Sequence, residues 1–511
     1  MPRALISVWD KDGVEELAKG LTELGWELVS SGGTAAFLEA QGLEVTRVED
    51  VTSAPEMLGG RVKTLHPRIH AGILARRGLE EDLETLAEHG IEPFDIVCVN
   101  LYPFTSVAER RDKSEEEIVE MIDVGGPSML RAAAKNFAHV AAVSAPSQYG
   151  TVLGELRAHG EVSPATRRDL ARDAFATSAA YEAAIATWFG RGERFPPQLT
   201  LTFRKVADLP YGENPHQAAA FYVEPSGRRH LLSRVEQLGG KELSYNNLAD
   251  LEGARRVMRE LDEPAAVIVK HANPCGVAVA ATVDEAWERA LAADPVSAFG
   301  CVAILNRTVT GELGRRIAEH FVEVLEAPGY DDEAVEALRT KKALRILADT
   351  ERRAETPGER DFKRVLGGML LQERDTATAG RDAMRVVCGE VSEQQFHDLL
   401  FAWRVCKHVS SNAIVLARAG QTIGIGAGQM SRVDAVRIAI ENARRHGHDL
   451  AGAVLASDAF FPFPDGPQLA LEAGVAGLIQ PGGSRRDEEV IAAVAEGGAG
   501  MVFTGMRHFR H

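Results

Sequence analysis

A chain of 511 residues exceeds what one hydrophobic core organises and calls for several domains. Its 45% hydrophobic and 26% charged residues describe an ordinary globular protein, and no apolar run approaches the roughly 20 residues of a membrane span. A net charge of −17 disfavours nucleic acid, whose phosphates would be repelled, but leaves room for a small anion held by local cations. The scattered cysteines (Cys98, Cys275, Cys301, Cys388, Cys406) lack CxxC spacing, which argues for reduced thiols in a cytoplasm and against a zinc site or disulfide frame. Met1-Pro-Arg leads straight into a strand pattern, so no signal peptide is expected.

In chain order, Arg3–Val8 reads as a strand and Val14–Leu24 as a helix with Val14, Leu17, Leu21 and Leu24 on one stripe. Trp26–Val29 reads as a second strand, and Ser30-Ser-Gly-Gly-Thr34 then opens a helix over Ala35–Ala40. Strand, glycine loop and helix start in that order form an anion cradle, although a plain turn reads the same way. Met57–Pro67 gathers Arg61, Lys63, Thr64 and His66 after paired glycines, a set suited to an anionic ligand or to a solvated basic loop. Asp95–Leu101 reads as a buried strand leading into Asn100-Leu-Tyr-Pro-Phe104. Ser114 with Glu117 forms a capping box for a helix through Ile122. Asp123-Val-Gly-Gly-Pro-Ser128 places Pro127 at a first helical position, and Ser128–Asn136 carries Arg131 and Lys135 on one face. Ser163 starts an Ala-rich helix to about Phe189, and Gly190–Pro197 reads as a domain boundary.

Beyond it, Val267–Gly276 opens as a doubly buried strand that Asn273-Pro274 should end, with Lys270 and His271 at its carboxyl edge. Neighbours on a strand point to opposite faces, so both reach one pocket only if the chain turns at His271. Thr282 and Glu285 form a capping box for a helix to about Ala293, before a strand at Cys301–Leu305. Ser411–Ala417 reads as a strand running into Ile423-Gly-Ile-Gly-Ala-Gly-Gln-Met-Ser-Arg432. These glycines match a dinucleotide fingerprint poorly, because no acidic residue ends a second strand about 20 positions on. Ser457–Phe463 is either a clamp for a flat heterocycle or a hydrophobic corner, Val475–Gln480 a strand, and Ser484 with Asp487 a cap for the last helix.

Ser7-Val-Trp-Asp-Lys11, Ser31-Gly-Gly-Thr34, Gly60–Pro67, Asn100–Phe104 and Asp123-Val-Gly-Gly together resemble the cyclohydrolase half of the bifunctional purine biosynthesis family (AICAR transformylase and IMP cyclohydrolase). Tyr211–Gln217, Val269–Pro274, Ser297–Gly300, Ser411-Asn412, Gly424–Gln429, Ser431-Arg432 and Ser457–Phe463 resemble its transformylase half. The resemblance implies an α/β chain: a methylglyoxal-synthase-like, Rossmann-type domain over 1–197, then a duplicated cytidine-deaminase-like transformylase domain over 198–511. It implies ribotide binding by Ser7, Lys11, Ser31, Gly32, Gly33, Thr34, Arg61, Thr64, Asn100, Gly125 and Gly126, with Lys63, Tyr102, Asp123 and Lys135 catalysing ring closure. In the second domain it assigns Lys270, His271 and Asn412 to catalysis. It gives Tyr211, Gly300, Glu323, Arg432, Phe460 and Arg507 to the nucleotide, and Val433, Asp465, Ser484 and Arg485 to the folate.

The implied chemistry is formyl transfer from 10-formyltetrahydrofolate, a co-substrate, to AICAR, giving FAICAR, then dehydrative closure to IMP. The first step needs a base on a poorly nucleophilic amine, for which His271 titrates in the right range, with Lys270 supplying a proton and Asn412 an oxyanion donor. The resemblance also implies a homodimer with shared transformylase sites, and allows a structural potassium ion. No catalytic zinc is expected, since Pro274-Cys275-Gly276 lacks the second cysteine of the deaminase pattern. Two positions depart from the family: Trp9 stands where it usually has Ser, and Pro210 where it commonly has a phosphate-associated Arg, for which Arg204, Lys205 and Arg507 are the candidates to compensate.

Overall fold

The computed structural model describes residues 1–55, 57–224, 235–350 and 359–511. They form two compact units, one built on Met1–Arg204, the other on Lys205–Tyr222 and the described residues from 235 to His511.

The first unit is organised by five parallel strands: β1 (Arg3–Val8), β2 (Glu27–Ser30), β3 (Thr46–Arg47), β4 (Ile96–Asn100) and β5 (Ala141–Val143). Their order is β3-β2-β1-β4-β5. Helices cover both faces, so the strands read as continuous apolar runs rather than alternating ones. On one face α1 (Val14–Glu23) buries Val14, Leu17, Ala18 and Leu21. The glycine loop leads into α2 (Gly32–Ala40), which begins at Gly32, earlier than the expected Ala35. α3 (Gly125–Lys135) likewise starts before Pro127, and the helix capped by Ser114 stops at Val119 rather than Ile122. α4 (Pro164–Phe189) is capped as its sequence indicates, the Ser163 hydroxyl accepting from Thr166 N at 3.2 Å. The strand order reverses at β1, so the loops leaving β1 and β4 part and open a crevice at their carboxyl ends.

The second unit repeats one plan. Its first half runs β6 (Glu236–Gly239), α5 (Tyr245–Met258), β7 (Ala265–Lys270), β8 (Asn273–Val279), α6 (Val283–Ala293), β9 (Cys301–Leu305), α7 (Gly311–Ala318), β10 (Val322–Ala327), α8 (Asp332–Arg339) and β11 (Arg345–Ala348). The other half runs β12 (Arg385–Cys388), α9 (Glu393–Cys406), β13 (Ile414–Arg418), β14 (Gln421–Gly426), α10 (Arg432–Arg445), β15 (Val454–Ser457), α11 (Asp465–Glu472), β16 (Gly477–Gln480), α12 (Asp487–Glu496) and β17 (Gly500–Phe503). The strands pair as β8-β7-β9-β10-β11-β6 and as β14-β13-β15-β16-β17-β12, and the halves join where β8 meets β14 at Ala278 and Gln421. Each half thus has the same element order and the same pairing order.

Two sequence expectations change here, and the poor dinucleotide match of the glycine-rich run is explained. Asn273-Pro274 does not merely end β7; it opens β8, antiparallel to it, with Asn273 opposite Lys270. Pro274 is tolerated because the register shifts between Pro274 and Gly276, a bulge that removes the need for its missing N–H. The glycine-rich run is strand β14 rather than a phosphate loop. A Cβ on Gly424 or Gly426 would collide with the carbonyls of Ala439 or Ala435, so these glycines let α10 lie directly on the strand. Ser484 and Asp487 do not cap α12 with their side chains; Asp487 accepts from Gly483 N at 2.7 Å and Ser484 from Arg486 N at 3.2 Å, closing the preceding loop. Among the described residues no helix is long and apolar enough to cross a membrane.

Candidate active sites

The crevice of the first unit holds a cavity of about 710 Å³. Ser7, Lys11, Ser31, Gly32, Gly33, Thr34, Arg61, Lys63, Thr64, Asn100, Tyr102, Asp123, Gly125 and Gly126 line it, as do Trp9 and Glu120. The residues come from the ends of β1, β2 and β4, the Gly59–Thr64 loop and the start of α3. Gly32 is required twice over: its φ is +51°, and a Cβ there would lie 2.6 Å from the Lys63 ammonium. Lys63 therefore sits directly over the N-terminus of α2, where cation and free backbone N–H groups converge on one anion.

Around this cradle the side chains differ in freedom. Lys11 donates to the carbonyls of Val8 and Trp9 and to Thr34 Oγ1, and burial lowers its pKa against a raising contribution from Asp10. Arg61 pairs with Glu120 at the exposed rim, a bond weak enough in water to be exchanged for a phosphate. Asn100 lines the cavity, but its amide braces the loop after β1, accepting from Trp9 N at 2.6 Å and Asp10 N at 3.0 Å and donating to Asp10 O at 2.9 Å. Burial raises the Asp123 carboxyl, and the Gly126 and Tyr102 backbone N–H groups pull it back in part. Burial and the nearby Asp123 likewise raise the Tyr102 phenol. A carboxyl and a phenol that both resist ionisation, beside an ammonium, can carry protons to and from a ring nitrogen.

Lys135 does not join this cavity. It is exposed at the far end of α3 from Gly125, about 15 Å along the axis at 1.5 Å per residue. Tyr181, which no sequence pattern singled out, braces the backbone behind Asp123 from α4: its hydroxyl accepts from Asp123 N at 2.8 Å and donates to Met121 O at 2.9 Å. The indole of Trp9, half exposed, meets the Tyr102 ring at 5.0 Å between centroids and walls one side of the cavity. Trp9→Ser is expected to raise the KM of the first unit's ligand about 2- to 10-fold with kcat unchanged, as loss of a ring contact of about 0.5–1.5 kcal/mol implies. Steady-state kinetics on the purified variant check it.

In the second unit one sheet edge collects most of the expected residues. The registers place the end of β7, the starts of β9, β10 and β13, and the ends of β14 to β17 along it. His271 and Ala272 connect β7 to β8 with φ of 53° and 58°, a two-residue turn in the left-handed region. That region costs an L-residue about 1–2 kcal/mol. The turn resolves the strand-alternation problem: Lys270 and His271 line the same cavity of about 230 Å³, with Asn273, Asp294, Ser297 and Asn442. Lys270 donates to Phe299 O beside Gly300, and Glu323 accepts from Asn247 at 2.9 Å.

Other expected residues are committed elsewhere. Asn412 donates to Gln429 O (2.9 Å) and Met430 O (3.2 Å) and accepts from Arg432 at 2.7 Å, so both its amide N–H groups are engaged and neither is free for an oxyanion. Arg432 is buried against the fully buried Asp458 and donates to Ser457 Oγ at 2.7 Å. It braces Asn412 and the end of β15. Phe461 is the hydrophobic corner, whereas Phe460 and Phe463 face solvent, with Arg486 over the Phe463 ring at 4.8 Å. Val433 is half-buried near the start of α10, Asp465 exposed at the start of α11, and Ser484 and Arg485 lie in the loop after β16. Arg507 lies over the Phe509 ring at 4.3 Å, and Lys205 pairs with Asp208. Tyr211 is exposed in a turn joined to α5 by the Asn246–Glu213 bond of 3.2 Å and does not line the Lys270–His271 cavity.

Residues 133–442 match the family model described as the AICARFT/IMPCHase bienzyme, and residues 13–128 match that of the MGS-like domain. A bifunctional purine biosynthesis protein PurH from Magnetococcus marinus is 50% identical over 527 residues, covering 100% of this chain and 99% of its own. Proteins of the same name from Persephonella marina and Anoxybacillus flavithermus are 48% and 49% identical, again covering 100% of this chain and 99% of theirs. With an MGS-like unit whose strand ends open on a cavity lined by Lys11, Arg61 and Lys63, and a second unit that sets a lysine and a histidine on one cavity, the chain belongs to the AICARFT/IMPCHase bienzyme family.

Proposed function

We propose that the two activities of this family are divided between the two units, ring closure over residues 1–197 and formyl transfer over 198–511. The chain performs the last two steps of IMP synthesis: formyl transfer to AICAR, then dehydrative closure of FAICAR. The observation that carries this reading is the left-handed turn at His271, which brings a base and an ammonium onto one cavity.

In formyl transfer the AICAR amine attacks the formyl carbon of 10-formyltetrahydrofolate. His271 removes the amine proton as its lone pair leaves the conjugated ring, and Lys270 protonates the departing folate nitrogen or steadies the oxyanion. Asn412 shapes this edge through Arg432 rather than by giving a hydrogen bond of its own. Phe460 and Phe463 offer exposed rings to a flat heterocycle, and Arg485 and Arg507 offer charge to its anionic groups. In ring closure the carboxamide nitrogen attacks the formyl carbon of the same molecule and water leaves. The nucleophile is already tethered, so orientation by the Ser31–Thr34 cradle supplies much of the acceleration. Asp123 takes the nitrogen proton, while Tyr102 and Lys63 stabilise the oxygen that departs as water.

The protein works in the cytoplasm as a homodimer with reduced folate as co-substrate, the reading favoured by the scattered unpaired cysteines and the family resemblance. No step is routed through a potassium ion. The direct test supplies AICAR and 10-formyltetrahydrofolate to the purified chain and follows IMP; accumulation of FAICAR without IMP would remove the first unit's role. Because burial lifts the Asp123 carboxyl, the acidic limb of ring closure should lie above pH of about 4, where an exposed aspartate titrates. The rate on FAICAR should fall as pH drops through that limb, and Asp123→Asn should abolish both limb and activity.

A further inference from the structure

Both halves of the second unit carry the same device. β7 turns into β8 through His271 and Ala272, and β13 into β14 through Ala419 and Gly420, with φ of 53°, 58°, 49° and 72°. In each half a carboxylate on the preceding helix takes the two N–H groups of the turn. Asp250 of α5 accepts from His271 N at 3.3 Å and Ala272 N at 2.6 Å. Asp398 of α9 accepts from Ala419 N at 2.8 Å and Gly420 N at 2.9 Å. The structural requirement is therefore met twice, and Asp398 reports how much of Asp250 is structure alone.

The two copies are held by different neighbours. Gly253, one helical turn beyond Asp250, brings α5 so close that a Cβ there would lie 3.0 Å from Ala272 O, whereas the matching position of α9 is the buried Phe401. Arg510 donates to Ala272 O at 2.8 Å, as Arg289 donates to Ala419 O in the second copy, and the Asn273 side chain donates to His271 O at 3.1 Å. Burial raises the Asp250 carboxyl, against the Ala272 and His271 N–H groups and the His271 charge that lower it. In this copy the turn and its neighbour, His271 and Lys270, line a cavity.

We propose that Asp250 is a positioning residue for formyl transfer, pinning the His271–Ala272 turn so that the imidazole and the Lys270 ammonium face one cavity. The proposal rests on His271 being the base of that reaction. Asp250→Asn in the full chain is expected to lower kcat for formyl transfer about 10- to 100-fold, as sub-ångström misplacement of a catalytic group does, with KM for AICAR and ring closure of FAICAR unchanged. Asp398→Asn should lower Tm comparably yet keep that kcat within about twofold. Ala272→Gly in the Asp250→Asn background relaxes the backbone as Gly420 does; it should recover Tm but not kcat. A kcat for Asp250→Asn within about twofold of wild type overturns the proposal, and so does kcat returning with Tm in the double variant. Formyl transfer surviving His271→Ala would instead remove the base itself, a separate failure.

Discussion

Alanine at His271 is expected to lower formyl transfer by about 10²–10⁴-fold while ring closure of added FAICAR continues at the wild-type rate. The AICAR amine is a weak nucleophile whose attack requires its proton to leave, and His271 stands exposed on the left-handed turn beside Lys270. Removing the imidazole leaves binding and orientation but no acceptor of suitable pKa. Lys63→Ala should give the reciprocal outcome, because Lys63 belongs to the cavity of the first unit alone. The two rates are measured separately, one as consumption of formyl-folate and one as appearance of IMP from FAICAR. Equal loss of both activities in either variant would count against separate sites.

Glu260→Gln should destabilise the second unit by about 3–5 kcal/mol near neutral pH, the usual result of stripping a buried ion of its partner. Glu260 accepts from Lys407 at 2.8 Å and lies 3.1 Å from His408 Nε2, and both partners are buried. Burial alone would raise its carboxyl, but hydrogen bonds and charge from His408 and Lys407 overcome that and hold it at about 2. A carboxylate depressed in the folded state stabilises fully above its unfolded pKa of about 4.3, and that contribution disappears as pH falls toward 2. The gap between wild type and variant in urea melts should therefore close as pH falls from about 4 toward 2. A gap that widened below pH 4 would contradict the assignment.

What the sequence reveals depends on whether the constraint is local. The boundaries of β1, α4 and β9 follow from apolar runs and a serine cap, because burial pattern and capping act within a few residues. The first cavity was legible because its residues lie in loops after strands, where parallel α/β sheets build their sites. The turn at His271 was half legible. Strand alternation demanded one, but the usual Asn-Gly signal is missing, and the conformation is imposed by Asp250 and Arg510 from far along the chain. The glycines of β14 answer to the backbone of α10, and Arg432 to a buried Asp458, neither of which leaves a periodic trace. Lys135 shows a limit of pattern alone: at 1.5 Å per residue it stands well along α3 from Gly125 and outside the lining of the first cavity.

The hairpin at Arg418–Gln421 opens an engineering route. It already has the backbone, the supporting Asp398 and a neighbouring strand order matching those of its sister. Grafting a lysine at 418 and a histidine at 419 would ask whether an inert scaffold copy can be given reactivity. Since the donor loop would stay untouched, such a chimera could be screened without sacrificing the parent enzyme.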